Sequence, residues 1–286
     1  MPVSTWAVAE PRKLAFDEPV TALKVRVVNG TVNVVGTDEP TARLEVSAIE
    51  GPPLVVTHED GVLTVAYEDL AWQNLLKWLD RKEWRRHAVV SLAVPAGSTV
   101  EVGVVGAGAF VSGVRGRTEV RGVTGDTTLV KLAGPVGAET VSGSVEAQSV
   151  TGDLRFHSVS GDLTVVEGGG ASVKAESVSG GMVLDVDPTG KPTDIRLTTV
   201  SGEIAIRLPH PADATVEANT ASGSVSNGFE DLRVSGQWGA KKITGTLGAG
   251  TGTLRATTVS GSIALLRRPP AAEEDSYDGE PTGKVL

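Results

Sequence analysis

The residues of this chain that could do chemistry are four histidines, a spaced set of carboxylates and two columns of hydroxyls; cysteine is absent. A metal site needs ligands at short, repeated spacings, and His58, His87, His157 and His210 have neither such spacing nor cysteine companions. Asp126, Asp162 and Glu203 recur in one register, with Ser144, Gly181, Ser224, Thr246 and Ser262 at its other places. A glycosidase needs two carboxylates flanking the scissile bond, whereas acidic members two turns apart stand about 9–10 Å from each other, at the long limit. These carboxylates, with Asp153, therefore read as a solvated face. The pairs Thr140/Ser142, Ser158/Ser160, Ser177/Ser179, Thr199/Ser201, Thr220/Ser222 and Thr258/Ser260 read as two outward hydroxyl columns. Such ladders occur on ice-binding faces, but cross-strand hydrogen bonding on a wet sheet accounts for them here. No unit has the Gly-Gly-x-Gly-x-Asp turn of calcium-binding rolls. The glycines of 103–108 and 248–252 precede no helix, and Gly190-Lys191 lacks the rest of a phosphate loop. No catalytic, cofactor-binding or metal-ligating residue is assigned, and the chain reads as a non-enzyme without cofactors.

The elements that carry these columns come from a repeat. A tripeptide of an aliphatic residue or Ala, then Ser or Thr, then Gly ends at Gly125, Gly143, Gly161, Gly180, Gly202, Gly223, Gly245 and Gly261. The spacings are 18, 18, 19, 22, 21, 22 and 16, the period of a solenoid. A weaker anchor (Gly116, Gly134, Gly152, Ala171, Thr193, Ala214, Gly236, Gly252) sits nine residues before each. Around both anchors, positions −2, +2 and +4 are mostly apolar, as in Val159, Leu163 and Val165, and a spacing of two places them on one strand face. The phase then slips by one, which marks a corner. Each nine-residue unit is thus a strand and a bend, and two units make a turn.

All length variation follows the strong anchors, so the loops near 168–170, 187–192, 209–213 and 227–230 should share one edge. The fold predicted is all-β: a β-solenoid, or parallel β-helix, with two strands per turn of about 18–22 residues. The anchor glycines are expected to face inward, where a missing Cβ lets the opposing sheet approach.

Residues 1–100 read as an N-terminal β section and cap, residues 101–266 as the solenoid, and residues 267–286 as a disordered acidic tail. Asn29-Gly30 fits either a hairpin or a solenoid corner. Within the first section, 68–87 reads as a short helical insert, with Trp72, Leu75, Leu76 and Leu79 on one stripe and Lys77, Arg81 and Arg85 opposite. A cap over a sheet face or coil end is the expected role. An interfacial helix on an anionic membrane surface is the alternative.

A net charge of −9 and a pI near 5.0 argue against nucleic acid as a partner. The opening residues have no apolar core of signal-peptide length, no run reaches membrane-spanning length, and the cytoplasm is the expected compartment.

The Val-Ser-Gly repeats, Trp6 with Phe16-Asp17-Glu18-Pro19, Val94-Pro95-Ala96-Gly97 and Arg207-Leu208-Pro209 together resemble the bacterial "putative adhesin" family, also called Toastrack domains. The resemblance covers nearly all of the chain to about Leu266. It implies a β-solenoid of undefined biochemistry, linked with envelope-stress signalling, and no catalytic residues. The function expected is a non-catalytic interaction or scaffold protein with an unidentified protein partner and no assigned oligomeric state. A carbohydrate-binding or carbohydrate-active β-helix is the alternative. The candidate partner surface comprises Trp78, Arg81, Trp84, Arg85, Asp187 and Lys191.

Overall fold

In the computed structural model the described residues are 4–68, 86–187, 194–237 and 239–269. They form strands and no helix: β1 (Ser4–Val8), β2 (Arg12–Phe16), β3 (Ala22–Val27), β4 (Asn29–Thr37), β5 (Ala42–Glu50), β6 (Leu54–Glu59), β7 (Val62–Ala66) and β8 (His87–Pro95). Next come β9 (Thr99–Val104), β10 (Gly108–Ser112), β11 (Thr118–Arg121), β12 (Thr127–Val130), β13 (Val136–Thr140), β14 (Val145–Gln148), β15 (Leu154–Ser158), β16 (Leu163–Gly168) and β17 (Ser172–Glu176). The rest are β18 (Met182–Val186), β19 (Asp194–Thr199), β20 (Ile204–Leu208), β21 (Ala214–Thr220), β22 (Val225–Asn227), β23 (Leu232–Gln237), β24 (Ala240–Leu247), β25 (Gly252–Thr258) and β26 (Ile263–Arg267).

Two long sheets face each other across one core. The first runs β1-β6-β7-β3-β9-β11-β13-β15-β17-β19-β25-β21-β24-β23, the second β2-β5-β8-β4-β10-β12-β14-β16-β18-β20-β26-β22. Strands after weak anchors lie in the first sheet and strands after strong anchors in the second, and successive turns pair in parallel. That is the solenoid predicted from the repeat. Asn29-Gly30 is a corner, since β3 and β4 belong to different sheets. Inward residues such as Phe156, Leu163, Leu184 and Ile206 are fully buried. Each Val, Leu or Ile so buried contributes roughly 1.5–3 kcal/mol.

The anchor glycines Gly125, Gly143, Gly161, Gly180, Gly202 and Gly261 are buried, but their missing side chains point along the column and not toward the opposing sheet as expected. A Cβ on Gly161 would stand 2.1 Å from the carbonyl oxygen of Gly143, and one on Gly180 2.0 Å from that of Gly161. The obstacle is the neighbouring turn of the same column, not the opposing sheet. Real Cβ atoms do not approach oxygen so closely, so a side chain at Gly143, Gly161, Gly180 or Gly202 would have to displace backbone.

The glycine column also reveals an order that departs from the sequence. Gly261 lies against Gly202, and Gly223 lies against Gly261. The last turn, β25 and β26, is therefore inserted between the turns β19/β20 and β21/β22. Gly236 and Gly245, which share the nine-residue spacing, are not anchors of the coil. They belong to the antiparallel hairpin β23–β24, which pairs on β21 and buries Leu232, Ile243 and Leu247 beside Phe229. The spacing there is coincidental, because the hairpin closes the coil end rather than adding a turn.

The other end is also out of order. β7 pairs with β3 and β8 with β4, both in parallel, so a later turn lies outside an earlier one. Antiparallel strands β6 and β1 on one sheet, and β5 and β2 on the other, then close that end. Trp6 packs edge-on against Phe16 at 5.4 Å, and Phe16 meets His58 at 5.8 Å. Of the predicted helical insert 68–87 and the predicted disordered tail 267–286, residues 69–85 and 270–286 lie outside the described residues; the margins correct both bounds, since His87 opens β8, Arg267 ends β26 and Arg268 is held by Asp185.

Gly161→Ala is expected to cost about 3 kcal/mol or more, since its added atom meets backbone rather than a yielding side chain. Ser160→Ala should cost about 1 kcal/mol or less, the worth of one exposed hydroxyl bond. Thermal unfolding of the two variants checks this, and equal midpoints would refute the role of the glycine column.

Candidate functional site

The Val-Ser-Gly corner is built from three separate uses of its residues. The hydroxyl three places before each anchor from Gly143 onward in the coil accepts the anchor's N–H: Thr140 from Gly143 at 3.0 Å, Ser158 from Gly161 at 2.7 Å, Ser177 from Gly180 at 2.8 Å. The same bond recurs at Thr199, Thr220 and Thr258. Ser177, Thr199, Thr220 and Thr258 are buried, so this column is not the outward ladder that the alternation suggested. The serine before each anchor is exposed, and its hydroxyl donates to a valine carbonyl one turn away. Ser142 reaches Val123 at 3.2 Å, Ser160 reaches Val141 at 3.3 Å and Ser260 reaches Val200 at 3.4 Å. Both columns are therefore committed to the corner itself.

The middle residue of the corner points the other way. The alternation had placed position −2 inward, yet Val141, Val159, Val178, Val200 and Val259 are between 45% and 51% exposed. The chain turns between −3 and the anchor, and the inward hydroxyl and the inward glycine leave −2 and −1 outside. A second phase slip occurs there, which the repeat spacing conceals. At the weak anchors the equivalent Leu132 and Val150 are buried. The five exposed valines occupy consecutive turns, following Gly143, Gly161, Gly180, Gly202 and Gly261. They form one apolar ridge along the edge opposite the loops.

The carboxylates considered for catalysis have structural partners. Asp126 accepts the N–H of Ser144 at 2.9 Å, and Asp162 that of Gly181 at 2.7 Å, each tying one turn to the next. Among the described residues no group of three His, Asp or Glu could hold a metal ion, and no helix is long and apolar enough to cross a membrane.

One charged cluster is more enclosed. Asp185, whose side chain is 8% exposed, is gripped by the Nε and Nη2 of Arg207, the former at 2.9 Å, and by Arg268 at 2.7 Å. The Arg207 hydrogen bond, helped by Arg268 and opposed by burial, holds the Asp185 carboxyl below its usual range. Arg268 also lies 3.8 Å from Asp187. Asp187, one of the predicted partner-surface residues, thus lies beside the residue that follows β26. Trp78, Arg81, Trp84, Arg85 and Lys191 lie outside the described residues. On the outer face of the second sheet, Ala15, Val35 and Ala93 line an open concavity of about 510 Å³, rimmed by the Lys13–Glu45 pair at 3.1 Å.

Residues 125–266 match the family model described as Toastrack DUF4097, a narrower span than the resemblance of the whole chain suggested. No curated protein matches the chain. It is similar to the solved structure of a "putative cell adhesion protein" from Clostridium sporogenes ATCC 15579, at 10% identity over 91% of this chain and 100% of that one, TM-score 0.23. A "putative lipid binding protein" from Parabacteroides distasonis ATCC 8503 is similar at 10% identity, over 92% and 98% of the two chains, TM-score 0.37. A "putative adhesin" from Parabacteroides merdae ATCC 43184 is similar at 12% identity, over 92% and 96%, TM-score 0.25.

Asp185→Ala is expected to cost roughly 1–3 kcal/mol at neutral pH, because it leaves two guanidinium groups without their acceptor. A carboxyl whose folded pKa is depressed contributes fully above its unfolded value of about 3.9, and that stability is lost as pH falls through the lower folded value. Denaturant titrations between roughly pH 2 and 6 should accordingly show a shallower acid limb for Asp185→Asn than for the parent. An unchanged limb would show that the cluster does not couple to folding.

Proposed function

We propose that this chain, whose residues 125–266 match the Toastrack DUF4097 family model, is a non-catalytic interaction scaffold whose valine ridge receives a protein partner. The observation that carries this reading is the ridge itself: Val141, Val159, Val178, Val200 and Val259, about half exposed on consecutive turns. Five turns at the usual strand spacing span about 19 Å, the length of a short partner strand or helix. The serines beside the valines spend their hydroxyls on carbonyls of the coil, so the ridge offers a partner chiefly apolar contact. An apolar stripe on a rigid rod suits docking of another protein, since little ordering is needed on binding. Envelope-stress signalling is the process that the family resemblance associates with such a scaffold.

The carbohydrate reading receives less support. Sugar sites offer unpaired hydroxyls and carboxylates beside aromatic platforms, whereas Asp126 and Asp162 are bonded to backbone.

Val159→Lys combined with Val200→Lys places two charges on the ridge and should change stability by no more than about 1 kcal/mol in total, as both sites are exposed. Capture from the native host should lose a protein that the parent chain and a Thr164→Lys control both retain. Deleting residues 69–85 should leave that protein bound. Equal capture by the ridge variant would refute the ridge as the docking surface.

A further inference from the structure

A second surface lies on the outer face of the first sheet. Arg155 pairs with Lys174, Lys174 with Arg196, and Arg196 with Arg255, so four cations stand in register on four consecutive turns. All four are exposed. At strand spacing they lie about 4.8 Å apart, a placement that destabilises a sheet unless anions are brought to it. Among the described residues no ion pair engages Arg155, Lys174 or Arg196, and Arg255 lies 4.0 Å from Glu217. The carboxylates sharing the face have other partners: Glu119, whose carboxylate lies over Gly137 beside Arg155, is held by Arg117 at 2.7 Å. Glu176 lies 3.7 Å from His157, Asp194 accepts the Thr253 hydroxyl at 2.5 Å, and Asp153 pairs with no ladder cation.

The chain leaves the coil beside this ladder. β26 lies between β20 and β22, inside the stack rather than at its end. It runs out at the corner from which β19 and β25 begin. Arg196 and Arg255 are the third and fourth residues of those strands, about 10 Å from that corner. Arg268 reaches across β20 to Asp185 and Asp187, which aims the departing chain toward earlier turns of the coil. Residues 270–286 then carry Glu273, Glu274, Asp275, Asp278 and Glu280 against the single cation Lys284. Three residues of linker cover up to roughly 10 Å, and the acidic stretch covers up to roughly 28 Å, against a ladder length of about 14 Å.

We propose that the acidic segment 273–280 docks across the Arg155–Lys174–Arg196–Arg255 ladder of its own chain and supplies its counter-charges. Tethering raises the local concentration of the segment to the millimolar range, so a modest electrostatic attraction suffices to keep it there. The docked segment covers the only run of four stacked cations on the described sheet faces, and an external anion must displace it to reach them.

The chain has no cysteine, so Ser276→Cys with Thr257→Cys gives a clean pair for two spin labels, one in the segment and one beside Arg255. Pulsed dipolar spectroscopy on the full chain at low salt should give one short, narrow distance distribution. Raising the salt should broaden it. Arg155→Glu with Arg196→Glu should abolish the short distance. So should Glu273→Lys with Glu274→Lys and Asp275→Lys, which leaves every residue of the coil unchanged and so separates docking from folding. A broad distribution in the parent, or a narrow one that survives either set, overturns the proposal. A short distance in a dilute mixture of singly labelled chains would place the segment on a neighbouring copy, and overturns it equally.

Discussion

The structure depends on one close approach: from Gly125 through Gly143, Gly161, Gly180, Gly202 and Gly261 to Gly223, the carbonyl of one anchor occupies the space where the next anchor's Cβ would be. This contact sets how near successive turns lie at the corner, and the corner's other bonds follow from it. With the anchors so close, a serine hydroxyl reaches the carbonyl one turn away, and a hydroxyl three places earlier caps the anchor N–H. Backbone groups that a sharp bend would orphan are thereby paired without water. A thin all-β rod with few aromatic residues is stable because these small bonds recur at every turn over one continuous core.

The same contact makes all turns interchangeable as neighbours. A glycine anchor presents a carbonyl on one side and a bare Cα on the other, whichever copy it belongs to. The chain uses this freedom at both ends, placing β7 and β8 outside β3 and β4, and threading β25 and β26 between earlier turns. At each end antiparallel strands then close the stack, which an open coil needs to avoid pairing with other chains. At the distal end, threading also moves Arg255 next to Arg196 and brings the last strand out beside them.

The two edges of the rod have different chemistry. At the Val-Ser-Gly edge, polar groups are consumed internally and valine is left outside; at the loop edge, Arg268 is held by Asp185 and Asp187 and Asp213 is tied to Thr251. The broad faces between them carry charge in register, because parallel stacking aligns equivalent positions of successive repeats. Small changes in a repeat thus accumulate into a ridge or a ladder, and this is how a repetitive rod acquires distinct surfaces.

The sequence by itself determined the two-sheet coil, the assignment of strong and weak anchors to opposite sheets, and the shared edge of the loops. Those features follow from periodicity, since a spacing of two defines a strand face and a fixed nine-residue unit defines a corner. It was legible because each repeat states its own local geometry. The exposure of Val141, Val159, Val178, Val200 and Val259 was not, because a three-residue bend reverses the parity that alternation assumes. Nor could spacing separate Gly245 in a hairpin from Gly261 in the coil, as both follow the same tripeptide. The order of the turns, and with it the cation ladder, was decided only by the tertiary structure. Copies with equivalent edges carry no record of which neighbour each will take, and only the closing strands and the hairpin at the ends make one order buryable.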